Sequence, residues 1–194
     1  MRSGPRIIAG AWRGRVLAAP AGLATRPTGA RARQAVFDIL MHAPWAGAAF
    51  LRAARVLDVF AGTGAYGLEA LSRGAVAADF MEQAPDALAA LRQNIAACKA
   101  AALSRVVAGD VLAARAGAPH ELVFLDPPYG QDLVNKALAV LDARGWIAPG
   151  AVVVAELGPG DAAALPQLLA ERAHGKARLL FGRWRGAMLH VEHL

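Results

Sequence analysis

The residues that carry most chemical information are Asp126-Pro127-Pro128-Tyr129, which close the apolar run Leu122-Val123-Phe124-Leu125. A carboxylate and a proline-flanked carbonyl, fixed side by side at a strand's carboxyl end, can accept both hydrogens of a planar amino group. An exocyclic amine on a nucleobase is a poor nucleophile because its lone pair is delocalised into the ring. An enzyme that alkylates it must therefore hold it with that pair aimed at the electrophile. Asp126 and the Pro127 carbonyl oxygen are the candidate acceptors. Pro127 and Pro128 fix φ and stiffen the turn, and Tyr129 offers a flat face on which a splayed-out base could stack. Asp-Pro is also common in ordinary strand-end turns, so the motif alone leaves that reading open.

A second constellation lies upstream, in Arg55-Val56-Leu57-Asp58-Val59-Phe60-Ala61-Gly62-Thr63-Gly64-Ala65-Tyr66-Gly67. It reads as a buried strand, a glycine turn and a helix, in which backbone amides and a helix amino terminus can approach a nucleotide cofactor. The spacing Gly62-x-Gly64-x-x-Gly67 also satisfies the dinucleotide fingerprint, so the glycines do not separate a nicotinamide from a sulfonium cofactor. Three acids sharpen the picture. Asp58 sits inside the strand, where a charge is costly without a partner. Glu82 ends the next apolar segment, Ala75 to Met81, where a carboxylate can take both ribose hydroxyls. Val106 to Val111 reads as a third strand whose acid, Asp110, suits an adenine amino group.

These residues need a frame. A small β-hairpin is expected over Arg6 to Leu17 with its turn near Gly10, then a Pro/Gly-rich stretch to Thr28 and a helix from Ala30 with Ala32, Ala35, Val36, Ile39 and Leu40 on one face. Helices are expected over Tyr66–Ser72, Pro85–Ala102 and Gln131–Ala143, and strands over Leu122–Leu125 and Ala151–Glu156. Lys176–Phe181 and Ala187–Glu192 read as a terminal antiparallel pair joined across Gly182 and Gly186. Such alternation implies a mostly parallel, doubly wound α/β sheet of Rossmann type with ligands at the strands' carboxyl ends. The first and fourth strands meet at its switch point, which would bring the glycine turn and Asp126 to one crevice.

Charge is distributed unevenly. Residues 1–50 carry seven Arg and one acid, Asp38, whereas residues 51–194 carry fourteen basic and fourteen acidic groups. The chain therefore divides into a basic arm, 1–50, and a neutral catalytic domain, 51–194. Arg6, Arg13, Arg15, Arg26, Arg31 and Arg33 are the candidate contacts to a polyanionic substrate, and four or five of them on the phosphates of a single strand predict a log-log salt slope of about −3 to −4. A second cluster, Arg172, Lys176, Arg178, Arg183 and Arg185 around Trp184, fits either a backbone-contacting face or a solvated edge. Cys98 is the one cysteine, which excludes a disulfide framework and a cysteine metal cluster; it reads as a small core residue. The longest charge-free run, Ile39 to Leu51, contains Pro44 and Gly47 and is too short to span a bilayer. A cytoplasmic protein, monomeric, with no metal and no membrane association, is expected.

Jointly the motifs make a physical case for methyl transfer from S-adenosylmethionine to a base amine. A nicotinamide-dependent oxidoreductase would use the same glycines with Glu82, but would leave Asp126 to Tyr129 and the basic arm without a role. A non-catalytic RNA-binding module would use the arm alone. The motifs admit adenine, cytosine or guanine.

Leu57 to Ala75 together with Phe124-Leu125-Asp126-Pro127-Pro128-Tyr129 resembles the bacterial RsmD family of 16S ribosomal RNA guanine-N2 methyltransferases. The resemblance extends to Arg6 through Arg15, Arg26-Pro27-Thr28, Arg31-Ala32-Arg33 and Phe37. It implies a class I S-adenosylmethionine-dependent methyltransferase fold with a seven-stranded sheet. Asp58, Phe60, Ala61, Gly62, Thr63, Gly64, Gln83 and Val111 would border the cofactor, Glu82 would bind its ribose and Asp110 its adenine. Asp126 to Tyr129 would hold the target amine, in 16S ribosomal RNA or an assembling small subunit. The leader departs from the family pattern at Gly29, Ala30 and Gln34, which bears on RNA placement more than on methyl transfer.

Overall fold

The computed structural model describes residues 4–20 and 27–186. Its centre is one seven-stranded sheet of β1 (Arg55–Val59), β2 (Ala77–Glu82), β3 (Ser104–Ala108), β4 (His120–Leu125), β5 (Ile147–Leu157), β6 (Gln167–His174) and β7 (Ala177–Arg183), in the order β3-β2-β1-β4-β5-β7-β6. β1 through β5 run parallel, and β7 is antiparallel to both β5 and β6. The central strands are apolar on both faces because both are covered. Val56, Phe80, Phe124 and Val154 face a core shared with α1 (Pro27–His42), α2 (Ala48–Ala53), α3 (Ala65–Ser72) and α4 (Pro85–Ala97). Leu57, Val59, Val123, Leu125 and Ala155, one residue out of phase, face α5 (Leu133–Ala143) and Trp146.

Residues 5–18 are not a free appendage. Ile7 and Leu17 are buried in the same core as Phe37, Phe80 and Phe124. Glu69 of α3, fully buried, accepts the amides of Ile8 and Ala9 at 2.7 and 3.0 Å, and Ser72 exchanges hydrogen bonds with Ala9 and Trp12. Asn94 of α4 holds Ala18 through both its amide and its carbonyl and reaches Thr63 of the glycine turn. One polar seam thus ties the arm, α3, α4 and the turn together. The position between residues 50 and 51 lies inside α2.

Several elements differ from expectation. The amino-terminal hairpin has a single bridge, Arg6–Val16, and a broad tip rather than a tight turn at Gly10; Gly10 and Gly14 both take positive φ. The terminal pair is one strand earlier than read. β6 pairs with β7 around Gly175, Gly182 lies within β7 where its lack of a side chain admits Leu165, and residues 187–192 lie outside the described residues. No helix is described between β5 and β6. α4 stops at Ala97, with Cys98 as its buried cap and Lys99 at φ 52 turning the chain. β3 ends at Ala108, so Asp110 caps a short 3-10 turn, Val111–Ala113, instead of closing the strand.

Candidate active site

The register of β1 against β4 aligns Val59 with Leu125, so the glycine turn and Asp126 leave neighbouring strands side by side. Phe60 begins the turn at φ 59, and Gly62 and Gly64 follow at φ 55 and 76. The Ala61 amide donates to the Met81 carbonyl at 2.9 Å, which pins the turn over β2. The three glycines have different work. A side chain on Gly64 would strike Leu91 and one on Gly67 would strike Phe80, each within 2.5 Å, so these two permit close helix-to-sheet packing. Over Gly62 the space is open, its nearest neighbour being the Phe60 carbonyl oxygen at 4.0 Å. A cofactor can approach the backbone there, and the bend is not blocked.

Acids surround the opening. Glu82 accepts the Gly62 amide through Oε2 and the amides of Gln83 and Ala84 through Oε1, each at 2.8 Å. With two lone pairs on each carboxylate oxygen, these three amides orient Glu82 and leave one acceptor site, on Oε2, for a hydroxyl. Asp110 is exposed and accepts the Leu112 amide at 2.9 Å. Asp58, 2% exposed, points from β1 towards α3 and accepts the Gly67 amide at 2.8 Å. It supplies from the sheet the amino-terminal cap that Gly64 cannot give that helix. Burial pushes the Asp58 carboxyl up to about 8; the Gly67 amide works against this, while the charges of Asp126 and Glu82 add to it and Arg33 opposes it. The carboxylates at the ends of β2 and β4 therefore both bear on Asp58.

Asp126 is exposed and Pro127 buried, with Pro128 exposed beyond them. The Tyr129 hydroxyl donates to Glu156 Oε1 at 2.6 Å, and its ring lies against Gly158, where a Cβ would fall 2.4 Å from Cγ. Asp161 accepts the amides of both Gly130 and Gly158, joining the loops after β4 and β5. Opposite them, Tyr66 stacks on Phe124 at 5.0 Å between centroids. Burial, then the charges of Asp126 and Glu156, hold its hydroxyl well above the usual tyrosine range, so it stays protonated as a donor.

The arm arginines separate into two groups. Arg6, Arg13, Arg15 and Arg31 are exposed, and Arg26 lies outside the described residues. Arg33 is a correction. It is 3% exposed, donates to the Arg6 carbonyl at 2.7 Å and lies among Glu69, Tyr66 and Asp58, so it cannot meet an RNA backbone. Residues 33, 36, 37 and 40 fall on one helical face, a spacing that could have revealed its inward direction. In the second basic cluster, Trp184 is buried and donates to Asp142 at 2.6 Å, while Arg178 and Arg183 bond to neighbouring loops. Tyr66, Glu156, Glu69 and Asn94 were not read as site or scaffold residues. Glu156 carried a usable signal, since it is a strand-end acid like Glu82.

Comparison with known proteins places this arrangement. The family model described as conserved hypothetical protein 95 matches residues 5–181. The chain is 39% identical to ribosomal RNA small subunit methyltransferase D of Escherichia coli K12, over 78% of this chain and 73% of that one. The chain belongs to this methyltransferase D family. The Haemophilus influenzae relative of the same name is 35% identical over 78% of this chain and 77% of its own length. The solved structure of the E. coli protein yhhF superposes with a TM-score of 0.80 at 35% identity, covering 93% of this chain and 98% of that one. The fold is the α/β, Rossmann-like methyltransferase fold. Among the described residues, no helix is long and apolar enough to cross a membrane, and no group of three or more His, Cys, Asp or Glu could hold a metal ion.

Proposed function

We propose that the chain transfers a methyl group from S-adenosylmethionine to the N2 amine of a guanine in small-subunit ribosomal RNA, free or within an assembling subunit. The observation that carries this reading is the open glycine bend, with Glu82 bonded to its Gly62 amide and Asp58 buried beneath it, beside Asp126 at the switch point. A crevice lined by carboxylates attracts a cationic sulfonium and repels the doubly negative pyrophosphate of a dinucleotide. The family's named members support ribosomal RNA as the substrate class. The resemblance to RsmD proteins selects guanine.

When bound over Gly62, S-adenosylmethionine supplies an electrophilic methyl group. Glu82 would accept a ribose hydroxyl at the site left on Oε2 and Asp110 the adenine amine, with Phe60, Ala61, Thr63, Gln83 and Val111 bordering the cofactor. Asp126 and the Pro127 carbonyl accept the two hydrogens of the base amine, which removes its freedom to rotate and aims its lone pair. The nitrogen becomes strongly acidic once alkylated, so Asp126 or water takes the released proton without a strong base. Exposed Arg6, Arg13, Arg15 and Arg31 draw the RNA backbone to the arm side of the crevice.

Labelled methyl transfer to small subunits lacking this modification, with nucleoside identification of the product, tests the reading. N2-methylguanosine is expected. Asp126→Ala abolishes transfer while leaving cofactor affinity within about threefold, because Asp126 holds the amine and not the cofactor. Undiminished turnover by that variant, or calorimetric binding of a nicotinamide dinucleotide in preference to S-adenosylmethionine, overturns it.

A further inference from the structure

We propose that Glu156 is the residue that reads the target base as guanine, by accepting its N1–H while Asp126 and Pro127 hold the neighbouring amine. This rests on the guanine reading above and assigns part of its specificity to one side chain. β4 pairs in parallel with β5, Leu125 opposite Ala155 as the last pair of the register, so Asp126, the first residue after β4, and Glu156, the next residue of β5, occupy neighbouring positions at the carboxyl ends of adjacent strands. Side-chain alternation within β5 sets the face of Glu156. Leu125 and Ala155 point to the α5 side, whereas Phe124 and Val154 point to the α3 side, and Glu156 follows the latter. Tyr66, which stacks on Phe124, feels both the Asp126 and the Glu156 charges, so both acids lie near its hydroxyl. The Tyr129 hydroxyl fixes Glu156 Oε1 at 2.6 Å and leaves Oε2 for a second donor.

Base chemistry then decides. Guanine places a ring N–H next to its exocyclic amine, so two adjacent acceptor groups complement it. Adenine and cytosine place an unprotonated ring nitrogen next to theirs, and a carboxylate facing that lone pair is both repelled and left without a donor. A pair of acids at the ends of β4 and β5 therefore admits a guanine edge and rejects the other two amines. Tyr129 acts through Glu156 as a positioning residue, besides any contact of its ring with the base.

The test compares one RNA carrying guanine with the same RNA carrying 2,6-diaminopurine at the methylated position. The analogue keeps the 2-amine but has a lone pair in place of N1–H. The wild-type chain should prefer guanine by about 100-fold or more in kcat/KM. Glu156→Gln, whose Oε1 can still accept from Tyr129 while its amide NH2 faces the base, should narrow that ratio to within about tenfold. Because the ratio is measured within one preparation, partial misfolding cancels. Tyr129→Phe should narrow it less, by loosening the carboxylate. A wild-type ratio near one, or a Glu156→Gln ratio equal to the wild-type value, overturns the proposal while N2-methylguanosine as product keeps the guanine reading. A wild-type product other than N2-methylguanosine removes both.

Discussion

Replacing Asp58 by Asn tests whether the buried acid under the glycine turn is a proton store emptied by the cofactor. Asn has the same shape and retains an oxygen for the Gly67 amide, which Asp58 now holds at 2.8 Å. What it removes is the ionisation. With the carboxyl raised to about 8 by burial, with Asp126 and Glu82 adding, Asp58 keeps about 0.9 of a proton at pH 7. A cationic cofactor arriving over Gly62 favours the charged form, so binding expels that proton. Calorimetric titration with S-adenosylmethionine in two buffers of different ionisation enthalpy should show the wild type releasing up to about 0.9 proton more than Asp58→Asn. Wild-type affinity should also rise relative to the variant between pH 6 and 8, by at most about tenfold per unit. Comparing the two proteins cancels titration of the cofactor's own amine. Stability should move the other way. The folded state retains a proton up to about pH 8 that the unfolded chain loses near 3.8, so the folded state binds more protons in that window and stability falls as pH rises through it. The fall should be on the order of 1 kcal/mol per pH unit in urea titrations and should be absent in the variant. Equal proton release and equal pH slopes in the two proteins would refute the reasoning.

Other perturbations separate the arm, the turn and the scaffold. Arg13→Ala with Arg15→Ala removes two exposed cations and should flatten the salt dependence of RNA binding by about 1.4 in log-log slope, whereas Arg33→Met should leave that slope unchanged. Glu69→Leu strands the Ile8 and Ala9 amides together with Arg73, which it meets at 2.7 Å, and should cost about 3–5 kcal/mol in urea unfolding. Trp12 fluorescence reports whether the arm detaches before the sheet melts. Gly67→Ala forces a methyl into Phe80, fully buried, and should cost about 1–3 kcal/mol of stability with cofactor affinity retained. Gly62→Ala meets open space and should instead weaken cofactor binding, beyond about 1 kcal/mol of strain at its φ of 55. Similar cofactor losses in both glycine variants would contradict the division of labour between them.

The division between what the sequence discloses and what it conceals follows from which residues have their partners nearby in the chain. β1 and β4 are buried on both faces, so they stand out as apolar runs, interrupted in β1 by Asp58, and the glycine turn or the acid that follows each run marks the sheet's carboxyl edge without any knowledge of tertiary contacts. That is why Asp58, Glu82 and Asp126 were legible as acids at or near the carboxyl ends of neighbouring strands. α3 is the opposite case. Gly67 through Ser72 are all buried, because the face that would meet solvent in an isolated βαβ unit is covered by residues 7–12. Glu69 and Ser72 look like surface residues until that cover is known, since their partners lie about sixty positions earlier. Arg33 misleads for the same reason, as its inward direction becomes affordable only where Glu69 and the Arg6 carbonyl await it. The misplaced terminal hairpin has a local cause instead. Glycine marks turns where φ is positive, as at Gly175, but it marks close packing where another side chain needs the space, as at Gly182 against Leu165, and composition does not distinguish the two. Glu156 combines both difficulties. Its place at a strand end is visible, but its meaning depends on the β4–β5 register and on the Tyr129 hydroxyl that holds it, and neither is written in the run Ala151 to Leu157.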